Sequence, residues 1–219
     1  NKIDNQSSSD WIKKEINELK NISNLEVKTR TSVAAYHGYN YLLARENLTD
    51  HLEKKDKNNK VRQRLLKIRA KKVILATGAL ERPLVFNNND RPGIILSTAV
   101  KKYADFFGVK CGEKNVFFTN NDSAYESALC LHNKGIKVDA IVDIRDNSNS
   151  KIVKAVEEAG IKIYWSHTVV DTNGYRRISN ISIMRLSNDG MTVTGKRINI
   201  SCDCLGVAGG WTPAVHLFT

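Results

Sequence analysis

Residues 116–144, VFFTNNDSAYESALCLHNKGIKVDAIVDI, are the part of the chain that decides its fold. The short apolar runs at 116–118 and 138–144 predict two strands. Between them, residues 123–134 are expected to form a helix that Gly135 terminates. The order strand, helix, strand predicts two parallel strands joined by a right-handed crossover, which is the repeating unit of α/β folds.

The turn after the first strand lies where a dinucleotide-binding loop would be, but its glycines are replaced. The usual G-x-G-x-x-G pattern provides glycines for the turn, for approach of a pyrophosphate and for packing of the helix on the strand. Thr119, Asn121 and Ala124 occupy these positions. Ala can replace the third glycine, whereas the Asn side chain enters the phosphate path. Asp143 and Arg145 stand where a ribose or a phosphate would bind. We favour a structural remnant, and a working cofactor site stays open as the alternative.

Two other apolar runs end in glycine, VILATG at residues 73–78 and LGVAGG at residues 205–210. Residues 73–76 are continuously apolar, which is typical of a strand buried on both faces. Because glycine has no Cβ, such a strand end lets the backbone approach a ligand. A buried strand that is simply stopped by glycine explains the first run equally well. The two runs bracket the strand–helix–strand region, which predicts an inserted domain and two glycine-ended tips that meet side by side.

The other predicted elements follow from caps, turns and periodicity. Ser9 is a candidate cap for a first helix, and Ser97 for a helix that Gly108 ends. The Asp189-Gly190 pair joins two alternating runs as a hairpin. The remaining expected elements are strands at 25–36, 39–48 and 161–165, an extended run at 65–68 and a helix at 150–159.

Composition excludes several classes of function. The chain has 219 residues, of which 41% are hydrophobic and 26% charged, as in ordinary globular proteins. No run approaches the roughly 18 apolar residues of a membrane-spanning helix, so no membrane role is expected. The net charge is +11, but the basic residues are spread along the chain, and this disfavours nucleic acid as a partner.

The four cysteines and the chain ends give two further expectations. Cys111, Cys130, Cys202 and Cys204 lack the spacing of a metal site, so we expect reduced thiols in a cytoplasmic protein. No metal ligand is predicted. The chain starts without Met inside a polar stretch, and we expect it to be an internal piece of a longer protein.

Three longer runs carry a family resemblance. They are ATGALERPLVF at 76–86 with NDRPG at 89–93, TNNDSAY at 119–125 and GGWTPAVHLF at 209–218. The chain resembles the alpha subunits of heterotetrameric sarcosine oxidases along essentially its whole length. These subunits belong to the flavoproteins with two dinucleotide-binding domains, and the altered glycine motif is itself typical of them.

The resemblance implies an α/β, Rossmann-like FAD/NAD(P)-binding fold. Residues 1–94 would be the C-terminal part of the first nucleotide domain with its β-meander. Residues 95–200 would be the inserted second domain with the degenerate glycine motif, and residues 201–219 would return to the first domain.

The resemblance also implies an oxidoreductase that acts on CH–NH donors as part of a multi-subunit complex. Such an enzyme demethylates sarcosine to glycine with O2 and passes the one-carbon unit to tetrahydrofolate. The alpha subunit would bind NAD, while FAD would lie in the beta subunit and FMN at the alpha–beta interface. The implied partners are the beta subunit and the smaller subunits of the oxidase.

The family's cofactor contacts are carried over to six positions of this sequence. By resemblance, backbone at the first strand tip lines the dinucleotide, the second tip closes its other side, and a residue before the β-meander meets the adenine. The implied residues are, in chain order, Val33, Ala76, Thr77, Gly78, Gly209 and Gly210. No residue of this chain is assigned a catalytic role, and the chain alone is expected to bind dinucleotide poorly.

Other classes of protein stay open. The alpha subunits of dye-linked proline dehydrogenase, opine oxidase and hydrogen cyanide synthase share this architecture and act with a different amine. A non-catalytic assembly subunit is a further alternative. A thioredoxin-reductase-like enzyme is disfavoured because its inserted domain would need a C-x-x-C pair.

Overall fold

The chain is divided into two compact units in the computed structural model, which describes residues 2–57 and 60–218. Unit one comprises residues 1–77 and 215–219, and unit two comprises residues 78–214. The domain boundaries expected after residues 94 and 200 therefore differ from the boundaries of these units. The reason lies in the sheet of unit two, where the strand at 204–208 pairs with strands at 94–96 and 115–119. The assignment of the three ranges to nucleotide domains stays a prediction.

Unit one is built on a three-stranded antiparallel sheet of order β3-β4-β5, the expected β-meander. The predicted first helix is present, but Ser7 rather than Ser9 caps it, because the Ser7 hydroxyl accepts from the Asp10 amide at 3.3 Å. Within the described residues its elements are β1 (Lys2–Ile3), β2 (Gln6–Ser7), α1 (Ser8–Lys20), β3 (Thr31–His37), β4 (Tyr41–Asn47), a 3-10 helix (Lys54–Asp56) and β5 (Gln63–Arg69).

The predicted strand at residues 73–76 is wrong for this structure. Residues 72–78 have no regular secondary structure, and Ile74 is 91% exposed. A strand is held by hydrogen bonds to a neighbouring strand. In the part of the chain that the structure describes, no strand pairs with residues 73–76. The apolar sequence alone is therefore not sufficient to form the strand.

Unit two contains the predicted strand–helix–strand region and further elements around it. The sequence had not indicated the strands at 79–81, 94–96, 167–173 and 211–213. The described elements are β6 (Ala79–Glu81), β7 (Ile94–Leu96), α2 (Ser97–Asp105), β8 (Asn115–Thr119), α3 (Ser123–Asn133), β9 (Val138–Asp143), α4 (Lys151–Glu158), β10 (Lys162–Tyr164), β11 (His167–Asn173), β12 (Asn180–Leu186), β13 (Val193–Ser201), β14 (Cys204–Ala208) and β15 (Trp211–Pro213).

The centre of unit two is a five-stranded parallel sheet of order β10-β9-β8-β14-β7. The predicted parallel pairing of β8 and β9 is confirmed, and the fold is of the expected Rossmann-like α/β class. From β8 the chain moves outward to β9 and β10, and it returns through β14 on the other side of β8. The carboxyl ends of β8 and β14 therefore form the switch point of the sheet, where ligands bind in open α/β folds.

Both faces of this sheet are buried. Phe117 and Ile141 point into one apolar cluster with residues of α2, α3 and α4. Val116, Phe118 and Val142 point into a second cluster with residues of the antiparallel sheet β11-β12-β13. Unit two is thus a stack of helices, parallel sheet and antiparallel sheet, and the alternation of side chains along β8 serves both interfaces.

The start of α2 differs from the prediction. Ser97 is the first helical residue and donates its hydroxyl to Ser127 at 2.9 Å, so it does not cap the helix. The Glu81 carboxylate accepts instead from the backbone amide of Thr98 at 3.0 Å and from the Thr98 hydroxyl. A residue sixteen positions before the helix thus satisfies an N-terminal amide, which local sequence patterns cannot reveal.

Replacement of Gly206 in β14 tests the packing between the sheet and its helices. A Cβ at this position would lie 2.6 Å from Cδ1 and Cε1 of the buried Phe117 ring. We expect Gly206→Ala to lower the free energy of unfolding by about 1–3 kcal/mol in urea denaturation. Gly38→Ala is the matched control, because nothing lies within 4 Å of its Cβ, and it should change stability by less than about 0.5 kcal/mol. Equal stability of the two variants would contradict this account of the core.

Candidate functional site

The switch point of unit two lies between Thr119, at the end of β8, and Ala208, at the end of β14. These two residues are paired in the sheet, and both are fully buried. The backbone amide of Asn120 donates to the Ala208 carbonyl at 3.4 Å. The chain then turns through residues 120–122 into α3, so the turn with the replaced glycines borders the crevice directly.

Asn121 fills the place of a phosphate. Its Oδ1 accepts from the backbone amide of Ser123 at 3.0 Å and from the Ser123 hydroxyl at 2.6 Å. Its Nδ2 donates to the Ala208 carbonyl at 3.2 Å. In a working loop, amides at the helix N-terminus bind the pyrophosphate. Here the side chain of Asn121 satisfies this amide and ties the turn to β14.

The expected ribose contact is also occupied from within the protein. Asp143 is fully buried and accepts from the Tyr125 hydroxyl at 2.7 Å, the Arg145 amide at 2.9 Å and the Arg145 Nη2 at 2.8 Å. The same guanidinium donates through Nη1 to Asp122 at 2.8 Å. The hydrogen-bonding groups of the Asp143 carboxylate and the Arg145 guanidinium are thus used within the protein, by each other and by Tyr125 and Asp122.

The pKa values follow from these contacts. Burial first, and then the bond to Asp143, raise the pKa of the Tyr125 hydroxyl well above its ordinary value. The hydrogen bond to Asp143 raises the pKa of Arg145. Burial opposes ionisation of Asp122, but hydrogen bonds from Ser150 and Arg145 hold its pKa below 3.8. The cluster is therefore a fixed ionic network at neutral pH.

The residues at this turn do not fit a dinucleotide. A phosphate would have to displace the Asn121 amide, and a ribose would have to break the bonds of a buried carboxylate. The structure favours the structural remnant over the working cofactor site.

The segments that follow the two glycine-ended runs pair with each other in unit two. Strands β6 and β15 pair antiparallel, with Trp211 opposite Glu81. The Gly209 amide donates to the Arg82 carbonyl at 2.6 Å, and the Ala214 amide donates to the Gly78 carbonyl at 2.9 Å. One ladder thus joins segments that are about 130 residues apart in sequence, but Gly78 lies at its Ala214 end and Gly209 at its Arg82 end. The two glycines therefore do not lie side by side as predicted.

The three glycines at these tips have different surroundings. Gly78 and Gly210 have φ angles of +74° and +99°, with nothing within 4 Å of an added Cβ. At Gly209 a Cβ would lie 2.7 Å from the Pro83 carbonyl oxygen. Close packing of backbone on backbone therefore explains Gly209 without a ligand, whereas Gly78 and Gly210 leave open space beside the chain.

The other predicted contacts, Val33, Ala76 and Thr77, line one cavity of about 410 Å3 in unit one. Sequence reasoning missed two residues that also line it, His216 and Leu217. They lie within the third family-specific run, but only the tertiary structure shows that they line this cavity with Val33. The remaining lining residues are Leu42 and residues 73–75. The role of all six predicted residues in binding a dinucleotide stays a prediction.

Other chemistry has little support in the part of the chain that the structure describes. Among these residues, no group of three or more His, Cys, Asp and Glu is arranged to hold a metal ion. Burial raises the pKa of the Cys202 and Cys204 thiols to about 12, which makes them unreactive at neutral pH. None of the helices within 2–57 and 60–218 has the length and apolar character needed to cross a membrane.

Sequence comparison identifies close relatives. The chain is 38% identical over 217 residues to the sarcosine oxidase subunit alpha of Corynebacterium sp. (strain P-1), which covers 98% of this chain and 22% of the relative. It is 34% identical over 216 residues to the subunit of the same name from Rhizobium meliloti (strain 1021), covering 98% of this chain and 20% of that protein. The predicted resemblance is confirmed, and the chain spans about a fifth of the length of these relatives.

Structural comparison supports the fold. The structure of L-proline dehydrogenase from P. horikoshii aligns with a TM-score of 0.54 at 19% identity, covering 98% of this chain and 34% of that chain. At this identity the likeness shows the fold alone. No protein-family model matches the sequence.

The hydrogen bonds that the Asn121 side chain makes within the turn can be tested by substitution of Asn121 and of its neighbour Asn120. Asn121→Ala removes the acceptor for the Ser123 amide and the donor for the Ala208 carbonyl. We expect it to lower the free energy of unfolding by about 1–2 kcal/mol. Asn120→Ala is the matched control and should cost less than about 0.5 kcal/mol, because its exposed side chain only accepts a solvent-exposed hydrogen bond from Asn121 Nδ2 at 2.9 Å. Equal effects in urea denaturation would refute the role given to Asn121.

The ionic network predicts a stability effect that depends on pH. Arg145→Met leaves the buried Asp143 without its cation and should lower the free energy of unfolding by about 3–5 kcal/mol at neutral pH. The control, Arg176→Met, removes an exposed cation and should have little effect. Because the pKa of Asp122 is lowered from 3.8 in the folded protein, its stabilisation is present above 3.8 and is lost as the pH falls through the lowered value. The difference between wild type and Arg145→Met should shrink in that acidic range. A difference that stays constant with pH would exclude the pairing with Asp122 as a source of stability.

Proposed function

We propose that the chain is part of the alpha subunit of a sarcosine oxidase-like complex. This complex would oxidise sarcosine to glycine with O2 and transfer the one-carbon unit to tetrahydrofolate. This proposal rests on the 38% sequence identity, over 98% of the chain, to a sarcosine oxidase subunit alpha. The activity, substrates and partners of the complete protein are part of the proposal, because the chain spans only a fifth of this relative.

The proposed contribution of unit one is to bind NAD through the adenine. The cavity that Val33, Ala76 and Thr77 line has apolar walls, and no Asp, Glu, Lys or Arg is among its lining residues. Such walls suit the uncharged face of a purine ring better than a phosphate. Leu42 shares the sheet face of Val33, because Val33 pairs with Ala44 two residues along β4, and it adds a buried apolar side chain to the cavity lining.

We propose that unit two serves as a scaffold in the subunit and that its glycine-containing backbone contacts the cofactor. Gly78 and Gly210 leave the backbone accessible, and we propose them as cofactor contacts. For Gly209, whose Cβ position is blocked by the Pro83 carbonyl oxygen, the proposed contact rests on the family resemblance alone. The second nucleotide turn, by contrast, is closed by Asn121 and the Asp143–Arg145 pair. We therefore propose that the chain contributes to NAD binding, while FAD and FMN lie elsewhere in the complex, which resides in the cytoplasm.

A different amine substrate is the second candidate. The fold is shared with L-proline dehydrogenase over 98% of this chain. No residue of the chain is assigned to the chemistry, and the family resemblance implies that the choice of substrate belongs to another subunit. A non-catalytic assembly subunit would give a complex without amine oxidation.

The experiment uses the full-length protein, co-expressed and purified with its partner subunits. Oxygen uptake is measured with sarcosine and with L-proline, and NAD binding by calorimetry. We expect oxidation of sarcosine, and Ala76→Val should weaken NAD binding about tenfold or more, because the larger side chain occupies the cavity. The isolated 219-residue chain should bind NAD more weakly than micromolar.

Ala34→Val is the matched control, because it makes the same change at an exposed position of β3 outside the cavity. It should leave NAD binding unchanged. Oxidation of L-proline but not sarcosine would support the second candidate. A purified complex without amine oxidation would leave only the assembly role, and micromolar binding by the isolated chain would contradict the predicted weak binding.

A further inference from the structure

One face of the β-meander in unit one carries exposed cations without acidic neighbours. Directly paired residues of an antiparallel sheet lie on the same face, and alternate residues along a strand share it. Tyr41, Leu43 and Arg45 of β4 therefore share a face with their partners on β5. We call these six residues the cationic face, its β5 members being Arg69, Lys67 and Leu65.

The charges on this face are unbalanced. Arg45, Lys67 and Arg69 are exposed, and in the described part of the chain none of them forms an ion pair with a carboxylate. The opposite face differs, because Glu46 lies there within 4.0 Å of Lys28 and 3.7 Å of Arg64. The sheet thus segregates a neutralised face from a cationic one.

Apolar and aromatic groups accompany these cations. Leu65 is 60% exposed, although burial of a leucine side chain away from water is favourable. The Arg69 guanidinium lies 5.1 Å from the centre of the Tyr41 ring, and the centre of the His37 ring lies 5.9 Å from the centre of the same Tyr41 ring. Arginine and tyrosine are enriched at the centre of protein interfaces, and here they share one sheet face with Leu65.

The hairpin that borders the face presents an aromatic tip. Tyr39 is 91% exposed and has a φ angle of +58°, a region that bulky side chains seldom adopt. Arg69 holds this conformation by donating to the Tyr39 carbonyl at 3.2 Å. Asn40, with φ of +53°, donates to the Lys71 carbonyl at 3.1 Å and accepts from the Tyr36 hydroxyl at 2.6 Å. Tyr39 is thus displayed rigidly although a glycine would be less strained.

We propose that the cationic face and Tyr39 form a docking surface for an acidic surface on another subunit of the complex. That such subunits exist rests on the proposed function. Charge complementarity defines the partner, because three unpaired cations on a face without a carboxylate select for acidic groups. A protein surface is favoured over nucleic acid, because the exposed Leu65 and the half-buried Leu43 require apolar contact within the same patch.

Tyr39→Gly separates docking from folding. In the full-length complex this change removes an exposed ring and relieves the positive φ, so thermal denaturation should show an equal or higher Tm. Affinity between the subunits, measured by sedimentation and biolayer interferometry, should fall about 30-fold. A purely structural role would not combine weaker assembly with unchanged or higher stability.

Charge reversal tests the cations. Arg45→Glu with Lys67→Glu should weaken assembly about 100-fold, and wild-type affinity should fall between about 0.05 and 0.5 M salt. Lys13→Glu with Lys14→Glu is the control, since it makes the same charge change on the exposed face of α1. If the charge-reversal protein fails to fold, Tyr39→Gly decides the outcome.

Several outcomes would overturn the proposal. The first is that both face variants assemble as the wild type does, and the second is that the wild-type chain purifies without another subunit. The others are that the chain dimerises through the cationic face, or that this face binds a duplex DNA oligonucleotide in fluorescence anisotropy. NAD calorimetry and sarcosine oxidation are measured on the Tyr39→Gly complex as well. Loss of assembly with intact NAD binding supports the docking surface, whereas absence of both activities in the wild type refutes the proposed function alone.

Discussion

The parallel pairing of β14 with β8 holds unit two together. Five consecutive residues of β14 pair with residues 115–119, and β7 is paired on the other side of β14. Without β14 the sheet would lose its continuity between β8 and β7, and the apolar clusters on both faces would be exposed at its centre. The same pairing creates the switch point, and it brings residues 209–213 next to residues 79–82. Core, crevice and strand tips are consequences of one strand inserted between two others.

Unit two keeps the topology of a nucleotide-binding fold while its crevice is filled by the protein itself. The Asn121 side chain takes the helix amide that would bind a phosphate, and Arg145 takes the carboxylate that would bind a ribose. Both replacements convert sites for a ligand into internal hydrogen bonds, which contribute to stability whether or not a cofactor is present. This explains how a fold can lose a ligand and keep its architecture.

The two units have different proposed roles. Unit one offers an apolar cavity, a face of unpaired cations and a strained aromatic tip, although few of its side chains are buried. Unit two carries the larger core and its closed turn. The proposed adenine contact and the proposed docking surface therefore both lie in the less buried unit, where more side chains are exposed.

The sequence alone determined the α/β class, the parallel pair β8 and β9, the helices and the hairpin between β12 and β13, because these depend on local periodicity, glycine stops and short connections. It also determined the family resemblance and the loss of the glycine motif. The tertiary structure decided what depends on partners distant in sequence. Residues 73–76 have the composition of a buried strand but lack a neighbouring strand, Glu81 rather than Ser97 satisfies the start of α2, and His216 joins Val33 in one cavity. Hydrogen bonds and packing between distant residues have no signature in a local pattern, and they therefore become visible only when the chain is folded.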